Sequence, residues 1–254
     1  MRIVVKVGSS TLCENGVVSV ERMGELCDFL QEIHAKDEVI LVTSGAVAAG
    51  HSVVPSLSSK STPERQALAA VGQAVLMNRY AELFKPFGIS VAQILITKDD
   101  LSNFSRSENA KIAVHTLLTH KILPIINEND TVVIDELLRG DNDQLSAKVA
   151  YYFDADLLII LTDIDGYYDK NPKTHSDAKL LNIVHEISAD QLEQGATPND
   201  QFATGGIVTK LKAADFLLKN GKKMFLASGF DLSCARDFWR NGSSTHGTLF
   251  AAEQ

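Results

Sequence analysis

Two lysines stand where lysines are costly, and they point to anion chemistry. Lys6 interrupts the apolar run Ile3-Val4-Val5-Lys6-Val7. An ammonium inside such a strand must be paired or must meet an anion, because an isolated buried charge is expensive. One reading is a phosphate contact; the other is an edge strand whose lysine faces water. Lys210 closes the run Thr204-Gly205-Gly206-Ile207-Val208-Thr209-Lys210. Two glycines there precede a helical pattern, and the lysine follows one turn in. Glycines let backbone N–H groups approach a phosphate, and a helix N-terminus adds partial positive charge. A plain helix start is the rival reading. Neither GxxxxGK[ST] nor GxGxxG occurs, so the P-loop and the dinucleotide fingerprint are both missing.

One stretch, Arg139 to Asp163, begins and ends in acidic turns. It opens on Gly140-Asp141-Asn142-Asp143, runs through a helical segment to Ala150, and ends in Leu157-Leu158-Ile159-Ile160-Leu161-Thr162-Asp163. The apolar run reads as a strand buried on both faces, of the kind found in parallel sheets. Ligands collect at the carboxyl ends of such strands. Asn142 and Asp143 are therefore expected to face a small acid, and Thr162 and Asp163 a nucleotide. A solvated acidic loop is the alternative for Asp141 and Asp143. Asp163 and Asp165 could hold a ribose or a metal-bound water, or could cap the turn at Asp165-Gly166. The seven histidines show no ligand spacing, so no protein metal site is expected. No GxSxG elbow is present, which lowers the hydrolase reading.

Strands and helices must alternate to position these groups. Strands are expected at Ile3–Val7, Val39–Val42, Val91–Ile96, Ile122–Ile126, Leu157–Leu161, Lys223–Ala227 and Thr248–Phe250. Helices are expected from Val20 to Ile33, from Thr62 toward Phe84, and over Ser107–Thr119, Ile207–Leu218 and Asp231–Trp239. Thr62-Pro63 is a helix-start signal. The alternation predicts an α/β fold with a doubly wound sheet. Four strands end in small or polar clusters: Gly8-Ser9-Ser10, Ser44-Gly45-Ala46, Asn127 to Asp130, and Thr162-Asp163. On one sheet these clusters would share one edge. Gly195 to Thr204 is the loosest stretch.

Composition narrows the class. A chain of 254 residues suits one large α/β domain or two small ones. A net charge of -8 disfavours nucleic acid as the main partner. Cys13, Cys27 and Cys234 form no CxxC pair and read as reduced thiols. The charged Lys6 breaks any signal-peptide pattern, and no apolar run approaches a membrane span. A cytoplasmic protein with no membrane partner is expected.

The blocks Lys6-Val7-Gly8-Ser9-Ser10, Ser44-Gly45-Ala46-Val47-Ala48-Ala49-Gly50, Asn127-Glu128-Asn129-Asp130, Gly140-Asp141-Asn142-Asp143, Leu161 to Tyr167 and Thr204 to Lys210 together resemble the amino acid kinase family. They follow the family's order over nearly the whole chain. SGAxAAG, NENDTV and GDND resemble the members that phosphorylate glutamate. The resemblance implies a three-layer αβα sandwich with a mostly parallel central sheet, of the carbamate kinase-like kind. It implies ATP and L-glutamate bound side by side, Mg²⁺ as cofactor, and a role opening proline biosynthesis. Nucleotide contacts fall on Lys6, Thr162, Asp163, Thr204, Gly205, Gly206, Ile207, Val208, Thr209 and Lys210. Glutamate contacts fall on Ser44, Gly45, Asp130 and Asn142. The acceptor site would occupy residues 1–150 and the nucleotide site residues 151–254 of a single domain. Many members add a C-terminal domain of the PUA type, which is not expected here. Tyr167 and Ile207 stand where leucine and methionine would be expected. Feedback inhibition by L-proline is also implied, with loops near Asn127 and Gly195 as its place, and a homo-oligomer, dimer or tetramer, is expected.

Within that resemblance each charged residue takes a role. A glutamate side chain is ionised at neutral pH and needs no general base. The obstacle is anion meeting polyanion, so catalysis is positioning and charge neutralisation. Lys6 would hold the transferring phosphoryl group, Lys210 would offset charge on the leaving bridge oxygen, and Asp143 would orient both. Gly8 and Ser44-Gly45 would cradle the product with backbone amides. The alternative is a sibling specificity, acetylglutamate kinase or uridylate kinase. A non-catalytic nucleotide sensor would be expected to lack the two lysines.

Overall fold

The computed structural model of the protein describes residues 1–58, 60–133, 142–172, 174–193 and 206–253. Strand β1 (Arg2–Val7) leads into helix α1 (Ser9–Leu12), a hairpin of β2 (Cys13–Glu14) and β3 (Val17–Val18), and α2 (Val20–His34). Then come β4 (Glu38–Val42), α3 (Ala46–Val53), α4 (Thr62–Phe84), β5 (Val91–Ile96), α5 (Lys98–Ser102), α6 (Phe104–Thr119) and β6 (Leu123–Glu128). The later half contributes α7 (Asn142–Tyr152), β7 (Leu157–Thr162), β8 (Ile183–Val184), α8 (Ala189–Glu193), α9 (Ile207–Lys219), β9 (Lys223–Ser228), α10 (Ser233–Asn241) and β10 (Thr248–Phe250).

One eight-stranded sheet runs in the order β5-β6-β4-β1-β7-β9-β10-β8. The pairs from β5 to β9 are all parallel, and β10 runs antiparallel to β9. The order reverses at β1: the chain leaves it toward β4 on one side and returns as β7 on the other. Such a reversal opens a crevice at the strands' carboxyl ends. The edge-strand reading of Lys6 is thereby corrected, because β1 is laddered on both sides, with Lys6 facing Val42 and Ile160.

Strand alternation decides which layer each β1 side chain enters. Ile3, Val5 and Val7 pack into one core layer with Met23, Phe29, Leu30, Tyr80 and Trp239. Val4 packs into the other, with Leu145, Val149, Leu211 and Leu217 of α7 and α9. Lys6 shares the parity of Val4, so its side chain faces the layer that holds α7 and α9. Each fully buried aliphatic side chain of these layers contributes about 1.5–3 kcal/mol. All three cysteines are free, and burial pushes the Cys27 thiol up to about 12.

Several boundaries differ from expectation. Strand β6 runs on through Asn127 and Glu128, because its ladder with β5 continues to Leu95↔Asn127 and Ile96↔Glu128. The Asn127 region is therefore buried strand and not the mobile loop expected there. The Ser44-Gly45-Ala46 turn starts a helix, α3, with Gly45 as its cap at φ 97°. That left-handed conformation is open to glycine at little cost. Helix α6 begins at Phe104, where Asn103 accepts from the Arg106 amide. Helix α10 begins at Ser233 rather than Asp231. The hairpin of β2 and β3, turning at Asn15-Gly16, was not expected. The stretch Gly195 to Thr204, with Gly140, Asp141 and Gly205, lies outside the described residues.

Candidate active site

Lys6, Asp143 and Lys210 meet at the carboxyl edge of the sheet. Lys6 Nζ stands 2.5 Å from Asp143 Oδ1, and Lys210 Nζ stands 3.1 Å from Asp143 Oδ2. All three side chains are buried. The Thr209 hydroxyl donates to Asp143 Oδ2 at 2.8 Å. Lys210 Nζ also donates to the Gly206 carbonyl at 3.1 Å, folding back over the start of α9. The Gln144 amide donates to the Thr209 carbonyl at 3.2 Å and fastens α7 to α9. Burial alone would raise the Asp143 carboxyl, but the charges of Lys6 and Lys210 outweigh it and hold its pKa down to about 2. The solvated-loop reading of Asp143 is thus overturned.

Two ammonium groups and one carboxylate leave one positive charge in surplus. A neutral buried pair would offer an anion little, whereas these three side chains taken together favour one. A Cβ added at Gly8 would stand 3.5 Å from Lys6 Nζ, so the ammonium lies beside the turn that follows its own strand.

Asn142, beside Asp143 at the start of α7, organises a second set of contacts. Its Nδ2 donates to the Thr43 carbonyl at 2.8 Å, to Asn127 Oδ1 at 2.9 Å and to Ser44 Oγ at 3.0 Å. Thr43 Oγ1 and the Tyr80 hydroxyl are 2.8 Å apart, both fully buried. Desolvation raises the Tyr80 pKa, which keeps it a neutral hydrogen-bonding group. Asp130 follows β6 and lines a cavity of about 270 Å³ with Gln73, Gln93, Glu128 and Asn129.

The expected residues fall into two neighbouring groups. Ser44, Gly45 and Asn142 converge where β4 ends, and Asp130 stands just past the end of the adjacent β6. Thr162 ends β7, where its hydroxyl donates to the exposed Asp163 Oδ1 at 3.0 Å. Gly206, Ile207, Val208, Thr209 and Lys210 form the start of α9. Thr204 and Gly205 lie outside the described residues. The Tyr167 hydroxyl accepts from Gln191 at 3.0 Å, so the phenol ties α8 to the sheet. Sequence reasoning missed Asn127 as a structural partner of Asn142, and it missed Gln73, Thr43 and Tyr80 altogether. A polar Gln73 within the buried stripe of α4 was the available signal.

A mostly parallel sheet with a buried lysine–aspartate–lysine cluster at its carboxyl edge is an arrangement suited to an anionic ligand. The chain belongs to the amino acid kinase family, whose pattern matches residues 1–228. It is 52% identical over 254 residues to the glutamate 5-kinase of Wolinella succinogenes, covering 98% of this chain and 97% of that one. It is 51% identical over 249 residues to the glutamate 5-kinase of Leishmania donovani, covering 98% and 94%. Among solved structures, carbamate kinase from Giardia lamblia bound to AMP-PNP superposes with a TM-score of 0.67 at 16% identity, covering 99% and 98% of the two chains. UMP kinase from Ureaplasma parvum gives 0.65 at 13% identity, covering 99% and 98%. These two share the fold.

Proposed function

We propose that this chain is a kinase that transfers the terminal phosphoryl group of ATP to the side-chain carboxylate of L-glutamate. The product is L-glutamyl 5-phosphate, which opens proline biosynthesis. The surplus positive charge of Lys6, Asp143 and Lys210 carries the reading. The near full-length similarity to glutamate 5-kinases supports the choice of acceptor.

The acceptor carboxylate arrives ionised, so the chain need not remove a proton. What it must supply is compensation for anions brought together. Lys6, reaching from β1 between the two halves of the sheet, holds the transferring group. Lys210, at the positive end of α9, offsets charge growing on the leaving oxygen. Asp143 fixes both ammonium groups through its two oxygens. Asn142, Ser44 and Asp130 bind glutamate: the carboxylate of Asp130 and the carboxamide oxygen of Asn142 suit the α-ammonium, and Ser44 with the amide of Gly45 suits carboxylate oxygens. Residues 1–150 then carry the acceptor and 151–254 the nucleotide.

Mg²⁺ is the usual companion of ATP in such transfers. Among the described residues no group of three or more His, Cys, Asp or Glu side chains gathers to cage it. Both Asp143 oxygens are committed to the lysines and Thr209. The donor set fits an ion carried by the phosphates with its own waters, for which the exposed Asp163 would supply a carboxylate. Among the described residues no helix is long and apolar enough to cross a membrane. A cytoplasmic homo-oligomer, dimer or tetramer, under feedback control by L-proline completes the proposal.

A coupled assay of ADP release with glutamate, N-acetylglutamate, aspartate and UMP in parallel tests it. Glutamate should be turned over far faster than the others. Equal or faster turnover of UMP or N-acetylglutamate would assign the chain to a sibling specificity.

A further inference from the structure

We infer that Gln73 is a positioning residue for the glutamate site, acting through Asn127 on Asn142. The inference rests on the glutamate reading above.

Helix α4 buries Leu68, Ala69, Gly72, Gln73, Leu76, Tyr80 and Phe84. Gln73 is the amide in that otherwise apolar and aromatic stripe, and it is 6% exposed. The helix can lie this deep because Gly72 and Gly50 bring α4 and α3 into backbone contact: a Cβ at Gly72 would overlap the Ala46 carbonyl and the Gly50 amide. Gln73 Oε1 then accepts from Asn127 Nδ2 at 3.0 Å, a fully buried bond. Asn127 Oδ1 in turn accepts from Asn142 Nδ2 at 2.9 Å and from the Glu128 amide at 3.0 Å.

The direction of this relay is fixed by two groups that cannot reverse. The Thr43 carbonyl only accepts, so the NH₂ end of Asn142 must face it. The Glu128 backbone N–H only donates, so the oxygen end of Asn127 must face it. Asn127 Nδ2 is thereby turned toward α4, where Gln73 supplies the acceptor. Without that acceptor, Asn127 has a buried donor to satisfy and reason to rotate. Rotation would withdraw one of the three acceptors that share the two Nδ2 hydrogens of Asn142, leaving them to the Thr43 carbonyl and Ser44 Oγ, so that the carboxamide and the Ser44 hydroxyl shift together. Among the described residues Gln73 and Asn127 share no hydrogen bond with the lysine–aspartate cluster, so damage should fall first on the acceptor side.

Steady-state kinetics on the full chain test this with Gln73→Leu, Gln73→Met and Gln73→Asn. Leucine and methionine remove the acceptor; asparagine keeps a neutral carboxamide but draws its oxygen back by one methylene. All three should raise the KM for glutamate roughly three- to ten-fold, the effect of one buried neutral hydrogen bond. Their kcat and KM for ATP should stay within about two-fold. A glutamate KM unchanged in either acceptor-free variant overturns the inference. So does a Gln73→Asn enzyme with the parental glutamate KM, a result that can be read even if the other two variants fail to fold. If the parent itself does not turn over glutamate, the substrate reading fails instead.

Discussion

Lys210 Nζ donates to Asp143 Oδ2 at 3.1 Å across 67 residues of chain. That bond joins the start of α9 to the start of α7, and the opposite oxygen of the same carboxylate takes Lys6 from the middle of the sheet. The fold thus delivers three charges from three elements to one point.

Each ammonium should be separately indispensable. Lys6→Ala and Lys210→Ala should each lower turnover by about 10²–10³, the usual cost of one preorganised charge contact in the transition state. Because each variant also removes a partner from buried Asp143, some stability is lost as well. Turnover measured on protein that keeps its native circular dichroism separates the two effects. Near-normal turnover in either variant would contradict its role.

Acid stability carries the mark of Asp143. Its pKa is about 2 in the folded chain against an ordinary 3.8. Ionised Asp143 therefore favours the folded state at pH values above 3.8, and the benefit drains away as pH falls toward 2. The integrated contribution is on the order of 2 kcal/mol. Asp143→Asn should flatten the pH dependence of stability between about pH 4 and 2. Denaturant titrations across that window measure the slope, and an unchanged slope would assign the acid sensitivity to other carboxylates.

Acceptor choice should follow the α-ammonium. A site built to pair a cation rejects an analogue lacking it, so N-acetylglutamate should react at less than about one hundredth of the glutamate rate. Asn142→Asp should weaken glutamate binding, because a carboxylate cannot donate to the Thr43 carbonyl and would be repelled by it. Initial rates with both acceptors, and the glutamate KM of the variant, check this.

The contact between α3 and α4 should tolerate no side chain. Gly72→Ala forces the helices apart or distorts them, at about 1–3 kcal/mol. Thermal unfolding should report that loss. The glutamate KM should rise with it, since Gln73 moves with its helix.

Much of this arrangement was legible in the sequence because it depends on local signals. A lysine in an apolar strand, a glycine-led helix and a five-residue apolar run each announce themselves. The alternation of β1 even predicts which layer Lys6 enters. What stayed hidden depends on partners far apart in the chain. Asp143 stood open between a solvated loop and a carboxylate that orients the lysines, and only its contacts with two residues far away in the chain place it in the interior. Asn127 looked like a turn residue, and only its pairing with β5 shows that it lies within a strand. Its bond to Gln73 spans 54 residues, beyond the reach of any periodicity. The hairpin at Asn15-Gly16 is different: both residues take positive φ, and the dipeptide itself was the signal.

The position of β1 has a consequence for motion. A strand laddered on both flanks cannot shift without tearing two sets of backbone bonds, so its amides should exchange with solvent only when the whole molecule opens. The backbone that bears Lys6 is thereby fixed by two ladders, whereas Lys210 rides on the first turn of a helix and is held by Asp143 and the Gly206 carbonyl. The two cations are thus anchored by different means, one through a sheet and the other through a helix end.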